Sequence, residues 1–171
     1  EPLVTPGARI SAPIRKLVPR TPAAAAGLAD WNRYGPHQVS APEQVFFTEL
    51  ADDAGWTQVV LAAADGAHGL ELSFDHRQLP YFVLWKNPQA SPDGYVTGLE
   101  PAINFPNNKS FEAQHGRVKR LAPGETFRCD MKLTALVNSG EVERAEAEVA
   151  RLAEGITPEI VETPAGDWVQ P

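Results

Sequence analysis

Along most of this chain apolar and polar residues alternate with a period of two, the mark of strands with one buried and one wet face. Leu70, Leu72 and Phe74 alternate with Glu71, Ser73 and Asp75 after the turn Asp65-Gly66-Ala67-His68-Gly69. Clearest is Glu125 to Leu133, where Phe127, Cys129, Met131 and Leu133 oppose Thr126, Arg128, Asp130 and Lys132. Leu121-Ala122-Pro123-Gly124 opens that segment with Pro and Gly in favoured turn positions. Gln44 to Leu50 and Trp56 to Ala63 flank Ala51–Gly55 at the spacing of a hairpin. Ala8 to Val18 reads as extended, bounded by Pro6 and Pro19, with Pro13 demoting its middle to an edge. Tyr95 to Glu100 is a further short strand. Leu79 to Trp85 differs: Tyr81, Val83 and Trp85 share one face, Phe82 and Leu84 the other. Apolar on both faces, it is predicted to be central and covered on both sides.

Two segments carry a helical period. Ala23 to Trp31 is the weaker. In Ser139 to Glu154, Val142, Ala145, Val149 and Leu152 recur on one stripe; Ser139 can cap it, Gly155 ends it and Pro158 prevents a restart. Its remaining Glu- and Arg-rich face reads as solvated. Thr157 to Pro171 reads as irregular, docking through Trp168. Strands separated by turn signals, without internal repeats, predict a mainly β protein: an antiparallel sandwich or barrel with one C-terminal helix. Residues 1–136 form the β part, and 137–171 a helix and tail packed on it.

Composition narrows the partners. With 43% hydrophobic and 22% charged residues the 171-residue chain has the make-up of a globular domain. Net charge is −7 with no basic stripe, so the electrostatic term that drives nucleic-acid binding is missing. No apolar run approaches the ~20 residues of a membrane-spanning helix. No basic region followed by an apolar block marks a signal peptide. Cys129 is the single cysteine, which excludes an intramolecular disulfide within the chain and fits a reducing, cytoplasmic setting. The opening Glu1-Pro2-Leu3-Val4-Thr5-Pro6-Gly7 reads as a mid-protein loop, so a fragment or processed chain is expected.

The chemistry inventory is mostly negative. There is no phosphate-cradling glycine loop, no Cys/His set with zinc spacing, and no Gly-x-Ser-x-Gly elbow. His37, His68, His76 and His115 are scattered. The informative block is Leu79 to Asn108. It places Trp85-Lys86-Asn87 at the end of one strand, Gly98-Leu99-Glu100-Pro101 at the end of the next, and then Asn104 and the Phe105-Pro106-Asn107-Asn108 turn. A sugar site needs that mixture: an aromatic face for the apolar side of the ring, with amides and charges for the hydroxyls. Glu100, between Leu99 and Pro101, can be desolvated enough to serve as a general base near neutral pH. Equally, Trp85 can be core, Lys86 solvated and Glu100 a turn residue, because structural networks also perturb carboxylates.

Gly98-Leu99-Glu100-Pro101 followed by Phe105-Pro106-Asn107 resembles the strand-end motif of galactose mutarotases and aldose 1-epimerases. Leu79 to Trp85 resembles that family's preceding strand, and Leu121 to Phe127 its closing segment, in matching order and spacing. The wording is more similar still to the DUF4432 branch of aldose 1-epimerase-like proteins, with Leu-Pro…Trp-Lys and Gly-Tyr-Val-x-Gly-Leu-Glu-Pro, across roughly residues 1–136. The resemblance implies the galactose mutarotase-like supersandwich, here in part, with Glu100 as general base and the sugar as the small-molecule partner. Trp85, Lys86 and Asn104 are the expected substrate contacts, with His76 a polar candidate outside any family motif position. Family enzymes are nearly twice as long, and their general-acid histidine lies upstream of the matched region; no residue here matches it.

In the mechanism so implied, the base takes the anomeric proton while an acid protonates the ring oxygen. The ring opens, C1–C2 rotates and reclosure gives the other anomer. Every step is a proton transfer, so neither a cofactor nor a metal is expected. Two other readings stay open. One is a non-catalytic carbohydrate-binding or regulatory module on the same scaffold. The other is an interaction domain, in which the edge of a missing half-sandwich makes a homodimer.

Overall fold

The computed structural model describes residues 4–90, 92 and 95–171. Glu1–Leu3, read above as part of a loop, and Ser91, Asp93 and Gly94 lie outside the described residues. The strands are β1 (Arg9–Ser11), β2 (Ile14–Pro19), β3 (Gln44–Leu50), β4 (Trp56–Ala62), β5 (Gly69–Asp75), β6 (Tyr81–Asn87), β7 (Val96–Ala102), β8 (Met131–Leu136) and β9 (Glu159–Ile160). The helices are α1 (Pro22–Ala26), α2 (Lys109–Gln114) and α3 (Ser139–Leu152). One sheet runs β1-β4-β5-β8 and the other β7-β6-β3-β2-β9. All neighbours are antiparallel except β2 and β9. The mainly β sandwich is therefore as expected. Among the described residues no helix is long and apolar enough to cross a membrane.

β6 does organise the second sheet, with β3 on one side and β7 on the other. Its inner residues Phe82 and Leu84 join Phe46, Leu50, Val59, Leu61, Leu72 and Phe74 in the core between the sheets. Val83, on its outer face, joins Val18, Val45 and Phe47 in a second core outside the sheet, roofed by Phe105, Trp168 and Val169. Phe105 stacks on Phe47 with ring centroids 4.5 Å apart and meets Tyr81 at 4.4 Å and Trp168 at 4.8 Å. Glu159 and Ile160 run parallel to Lys16 and Leu17, which brings the tail across to this roof.

On the other outer face α3 lays Val142, Ala145 and Val149 against Val60, Ala62 and Leu136. The stripe Val142, Ala145, Val149, Leu152 is the one the helical period picks out. The N-cap is Asn138 rather than Ser139: its side chain accepts from the N–H of Glu141. Arg9 binds Glu146 through Nε and Nη2, both at 2.8 Å, clamping α3 to β1. Residues 137–171 thus cover both outer faces, the helix on one sheet and the tail on the other.

Three expectations change. Gln44–Leu50 and Trp56–Ala62 do not form a hairpin, since β3 pairs with β2 and β6, while β4 pairs with β1 and β5. Ala51–Gly55 carries the chain from one sheet to the other. Likewise Ala8 to Val18 is two strands, β1 and β2, in different sheets, with Pro13 at the crossing. Finally, of Glu125 to Leu133 only Met131–Leu133 belongs to a strand, because β5 ends at Asp75 and nothing further offers a pairing partner. The turn before it is as expected: Glu125 N–H donates to Ala122 O at 2.9 Å with Gly124 at φ +81°.

β7 and β8 are the last strands of their sheets on one side of the sandwich. Between them lies an apolar groove of about 440 Å³ lined by Val4, Leu72, Val96, Leu99 and Leu133. Leu133 and Met131, which face inward by their pairing with Leu72 and Phe74, are 67% and 55% exposed there.

Phe105→Ala removes a ring packed against Phe47, Tyr81 and Trp168. We expect a loss of about 3–5 kcal/mol in denaturant unfolding, the usual cost of truncating a buried Phe. A loss below about 1 kcal/mol would mean that the roof contributes little to folding.

Candidate functional site

The site is built on the outer face of the second sheet. Directly paired residues share a face, so the register sets its rows. Phe47, Val83 and Glu100 make one row; Val45, Trp85 and Gly98 make the next. Arg20, whose N–H donates to Val45 O at 2.9 Å, stands at the end of the second. The aromatic roof covers Phe47 and Val83 and stops at Glu100 and Trp85. Beside it a polar depression of about 530 Å³ is lined by Arg20, Asn107, Asn108 and Gln170.

Glu100 folds over Gly98, so that a Cβ added there would overlap the carboxylate, with Cδ only 3.1 Å away. Glycine is therefore what leaves room for the carboxyl group. No described residue gives Glu100 a hydrogen bond or an ion pair. Glu100 is exposed on the sheet surface, and the partial desolvation of its carboxyl over Gly98 raises its pKa above the ordinary 4.5. The Trp85 indole, half-buried one row away, donates Nε1–H to Glu43 Oε2 at 2.8 Å. That bond fixes the ring plane. The structure thus brings Glu100 and Trp85 together on one face, with a carboxyl group free to accept a proton.

Lys86 is elsewhere. Alternation puts it on the inner face of β6, opposite Gln44, where it is 5% exposed. Its Nζ donates to Asp30 O at 2.9 Å and Arg33 O at 2.7 Å and lies 5.1 Å from the Tyr34 ring centroid. Burial lowers its pKa to about 8. The sheet separates this ammonium from Glu100, and its donors hold the 27–35 loop. Asn104 is half-buried in the bend after β7, with no hydrogen bond among the described residues. His76 follows β5 in the other sheet. Its N–H donates to Gly55 O at 2.7 Å, and Nδ1 lies 3.6 Å from Asp52 Oδ2. It belongs to the connection between the sheets rather than to the Glu100 face.

Sequence reading missed the group that ties the site together. Glu112, on α2, is 1% exposed and its carboxylate takes four bonds. Arg117 donates Nε–H at 2.7 Å and Nη2–H at 2.9 Å; Asn107 Nδ2 donates at 2.7 Å and the Phe105 N–H at 3.2 Å. Burial alone would raise the Glu112 pKa, but these donors hold it below the ordinary value. Arg117 also donates to Asp167 O at 2.7 Å, and Asn107 Nδ2 to Trp168 O at 2.9 Å. A Glu and an Arg five residues apart, in a segment whose one large apolar residue is Phe111, carry no alternation or helical period that would have announced a buried pair.

This architecture, a sandwich of two mainly antiparallel sheets, is that of the aldose 1-epimerase-like superfamily. The chain belongs to the family described as Domain of unknown function (DUF4432), whose model matches residues 1–135. It is similar to the crystal structure of a "putative aldose 1-epimerase" from Klebsiella pneumoniae subsp. pneumoniae MGH 78578. That match has 32% identity and a TM-score of 0.92, covering 96% of this chain and 43% of the other. The chain therefore spans less than half the length of that relative. No curated protein matches it.

The burial of Lys86 yields a test. Removing it by Lys86→Ala leaves the Asp30 and Arg33 carbonyls without their donor, at an expected cost of about 2–4 kcal/mol. Against Lys86→Met the pH dependence has a definite sign. A lysine whose folded pKa is lowered sheds its proton earlier when folded, so between about 8 and 10.5 the unfolded chain binds more protons. The stability of the native protein relative to Lys86→Met is expected to rise with pH across that window, read by urea unfolding. A relative stability that falls across it would mean the ammonium is not desolvated.

Proposed function

We propose that this chain carries the base-bearing part of an aldose 1-epimerase-like mutarotase, an isomerase that interconverts anomers of an aldose or aldose derivative by acid/base ring opening. The observation that carries this reading is the unpartnered Glu100 carboxylate, raised by partial desolvation and seated over Gly98 beside Trp85. The similarity to the Klebsiella protein supports it. A sugar ring lying on the Trp85 face would bring its anomeric hydroxyl to Glu100. The carboxylate takes that proton while an acid from outside the described residues protonates the ring oxygen. After rotation about C1–C2 the protons return and the ring closes as the other anomer. The carboxyl group needs no cation beside it, since an ion pair would lower its basicity. Asn104, half-buried in the bend after β7, is the amide placed to receive a hydroxyl. The exposed Cys129 is consistent with a reducing, cytoplasmic setting.

A second reading, a non-catalytic carbohydrate-binding module, is favoured by one observation. His76, the one histidine singled out from the sequence, is tied to the Asp52–Gly55 connection and not to the Glu100 face. Recognition needs no acid.

Anomer exchange measured by NMR on a panel of aldoses, with the full-length gene product, separates the two. Glu100→Gln is expected to lower exchange about 10²–10⁴-fold, the usual worth of one general base. The wild-type rate should fall on acidification through a midpoint above 4.5, because protonated Glu100 cannot act as base. Gly98→Ala should also slow exchange by displacing the carboxylate, while thermal unfolding changes little, since what it meets is the end of a flexible side chain. Binding of a sugar without exchange would leave only the second reading.

A further inference from the structure

Glu100 stands on β7, a strand that pairs with β6 on one side and with no described strand on the other. An edge strand has half the ladder of a central one and frays more readily. Catalysis by a positioned base tolerates little fraying, so the exit of β7 has to be anchored by other means. After the strand ends at Ala102, Phe105 is held twice: its ring lies in the roof, and its N–H is bound by Glu112 at 3.2 Å. Asn107 is held by Glu112 and by Trp168 O, and its own Oδ1 accepts from the Gln170 N–H at 3.3 Å. Asn108 N–H closes the circuit by donating to Gln170 Oε1 at 2.9 Å. Arg117, 8% exposed, locks Glu112 bidentately, reaches Asp167 O and lies 5.4 Å from the Phe105 ring centroid.

Every side-chain bond that this pair makes outside itself thus runs to the turn after β7 or to the tail that roofs the Glu100 face. A pair serving α2 alone would have no need of Phe105, Asn107 and Asp167. Resting on the function proposed above, we propose that the buried Glu112–Arg117 pair positions the base: it pins the exit of β7 and the C-terminal tail to the outer face, and so fixes Glu100 beside the sugar-binding indole. Neither residue touches substrate. They act through the Phe105–Asn108 turn, and the tail Asp167–Gln170 is the fourth wall of the site.

Arg117→Lys keeps the charge and loses the bidentate geometry. Asn107→Ala keeps the ion pair and removes the amide that joins Glu112 to the turn and to the Trp168 and Gln170 backbone. Both are compared with wild type in the full-length protein by anomer-exchange kinetics and by NMR titration of the Glu100 carboxyl carbon, with circular dichroism to establish folding. The expected result is a kcat lowered about 10-fold or more with KM little changed, as misplacing a catalytic group by a fraction of an ångström would produce. The Glu100 midpoint should move away from its wild-type value as the carboxylate shifts on the face. If Arg117→Lys does not fold, Asn107→Ala decides. If the wild type exchanges no sugar, the function reading fails and the Glu100 titration alone decides the positioning role. Folded variants that keep both the wild-type kcat, where there is one, and the wild-type Glu100 titration would overturn the proposal.

Discussion

The structure depends on β6 being covered on both faces. A strand in that position must send Phe82, Leu84 and Lys86 to one layer and Tyr81, Val83 and Trp85 to another, because side chains alternate along a strand. Cross-strand pairing then leaves no freedom for its neighbours. Val83 fixes Glu100 and Phe47 on the outer face, Trp85 fixes Gly98 and Val45, and Lys86 fixes Gln44 on the inner one. A slip of one residue would bury Glu100 between the sheets and turn Leu84 and Phe82 out from the core. Such a slip is disfavoured because Lys86 would lose the Asp30 and Arg33 carbonyls and each apolar set would lose the packing matched to it. The position of the free carboxylate is thus a consequence of core packing.

Covering both faces of the second sheet needs a third layer, and the C-terminal residues supply it. The tail is short and has little regular structure, so its hydrogen bonds must come from side chains. That requirement explains why Arg117, Asn107 and Gln170 spend their polar groups on tail and turn backbone. A buried ion pair is not in itself stabilising relative to an apolar pair of the same shape, because desolvation offsets the attraction. Breaking one by removing a single partner is costly, about 3–5 kcal/mol. Glu112–Arg117 is therefore better understood as specifying where the turn and tail sit than as a contribution to net stability. Arg9–Glu146 ties α3 to β1 on the other sheet, but it is only partly buried and so more screened by water.

Much of this was legible from alternation and turns. The bounds of β3, the two-faced character of β6, the turn and alternation of β5, the buried stripe of α3 and the docking of Trp168 all follow from local pattern. The illegible part is non-local. Alternation tells which residues are buried but not against which sheet, so the Ala51–Gly55 connection reads as a hairpin when it crosses the sandwich. Glu125–Asp130 alternates as well as any strand, yet it finds no ladder to join. Lys86 goes with Trp85 on sequence adjacency, although adjacency in a strand means opposite faces. α2 escapes because six residues with Phe111 as their one large apolar side chain show no helical period. Glu112 and Arg117 look like ordinary surface charges until Phe105, Asn107 and the tail close over them.

In the function proposed above, base and acid stand apart for the same physical reason that the base is available. A carboxylate is raised by desolvation only if no cation or donor neutralises it, and Glu100 has neither as a partner among the described residues. An acid for the ring oxygen must then lie on the far side of the sugar, at a distance set by the ring itself. The outer residues of β6 and β3 nearest to Glu100, Val83, Trp85, Val45 and Phe47, are taken up by the roof and the indole platform and carry no acid. The acid has to approach over the face or from beyond β7, whose second edge carries no described strand. That is also the side on which the apolar groove between β7 and β8 opens and Leu133 and Met131 stand uncovered. A chain aligned with 43% of its Klebsiella relative at a TM-score of 0.92 keeps Glu100, its glycine shelf and the Glu112–Arg117 pair in one folded piece. In the proposed mechanism the acid is brought in over that open side, whose apolar lining suits it to being covered.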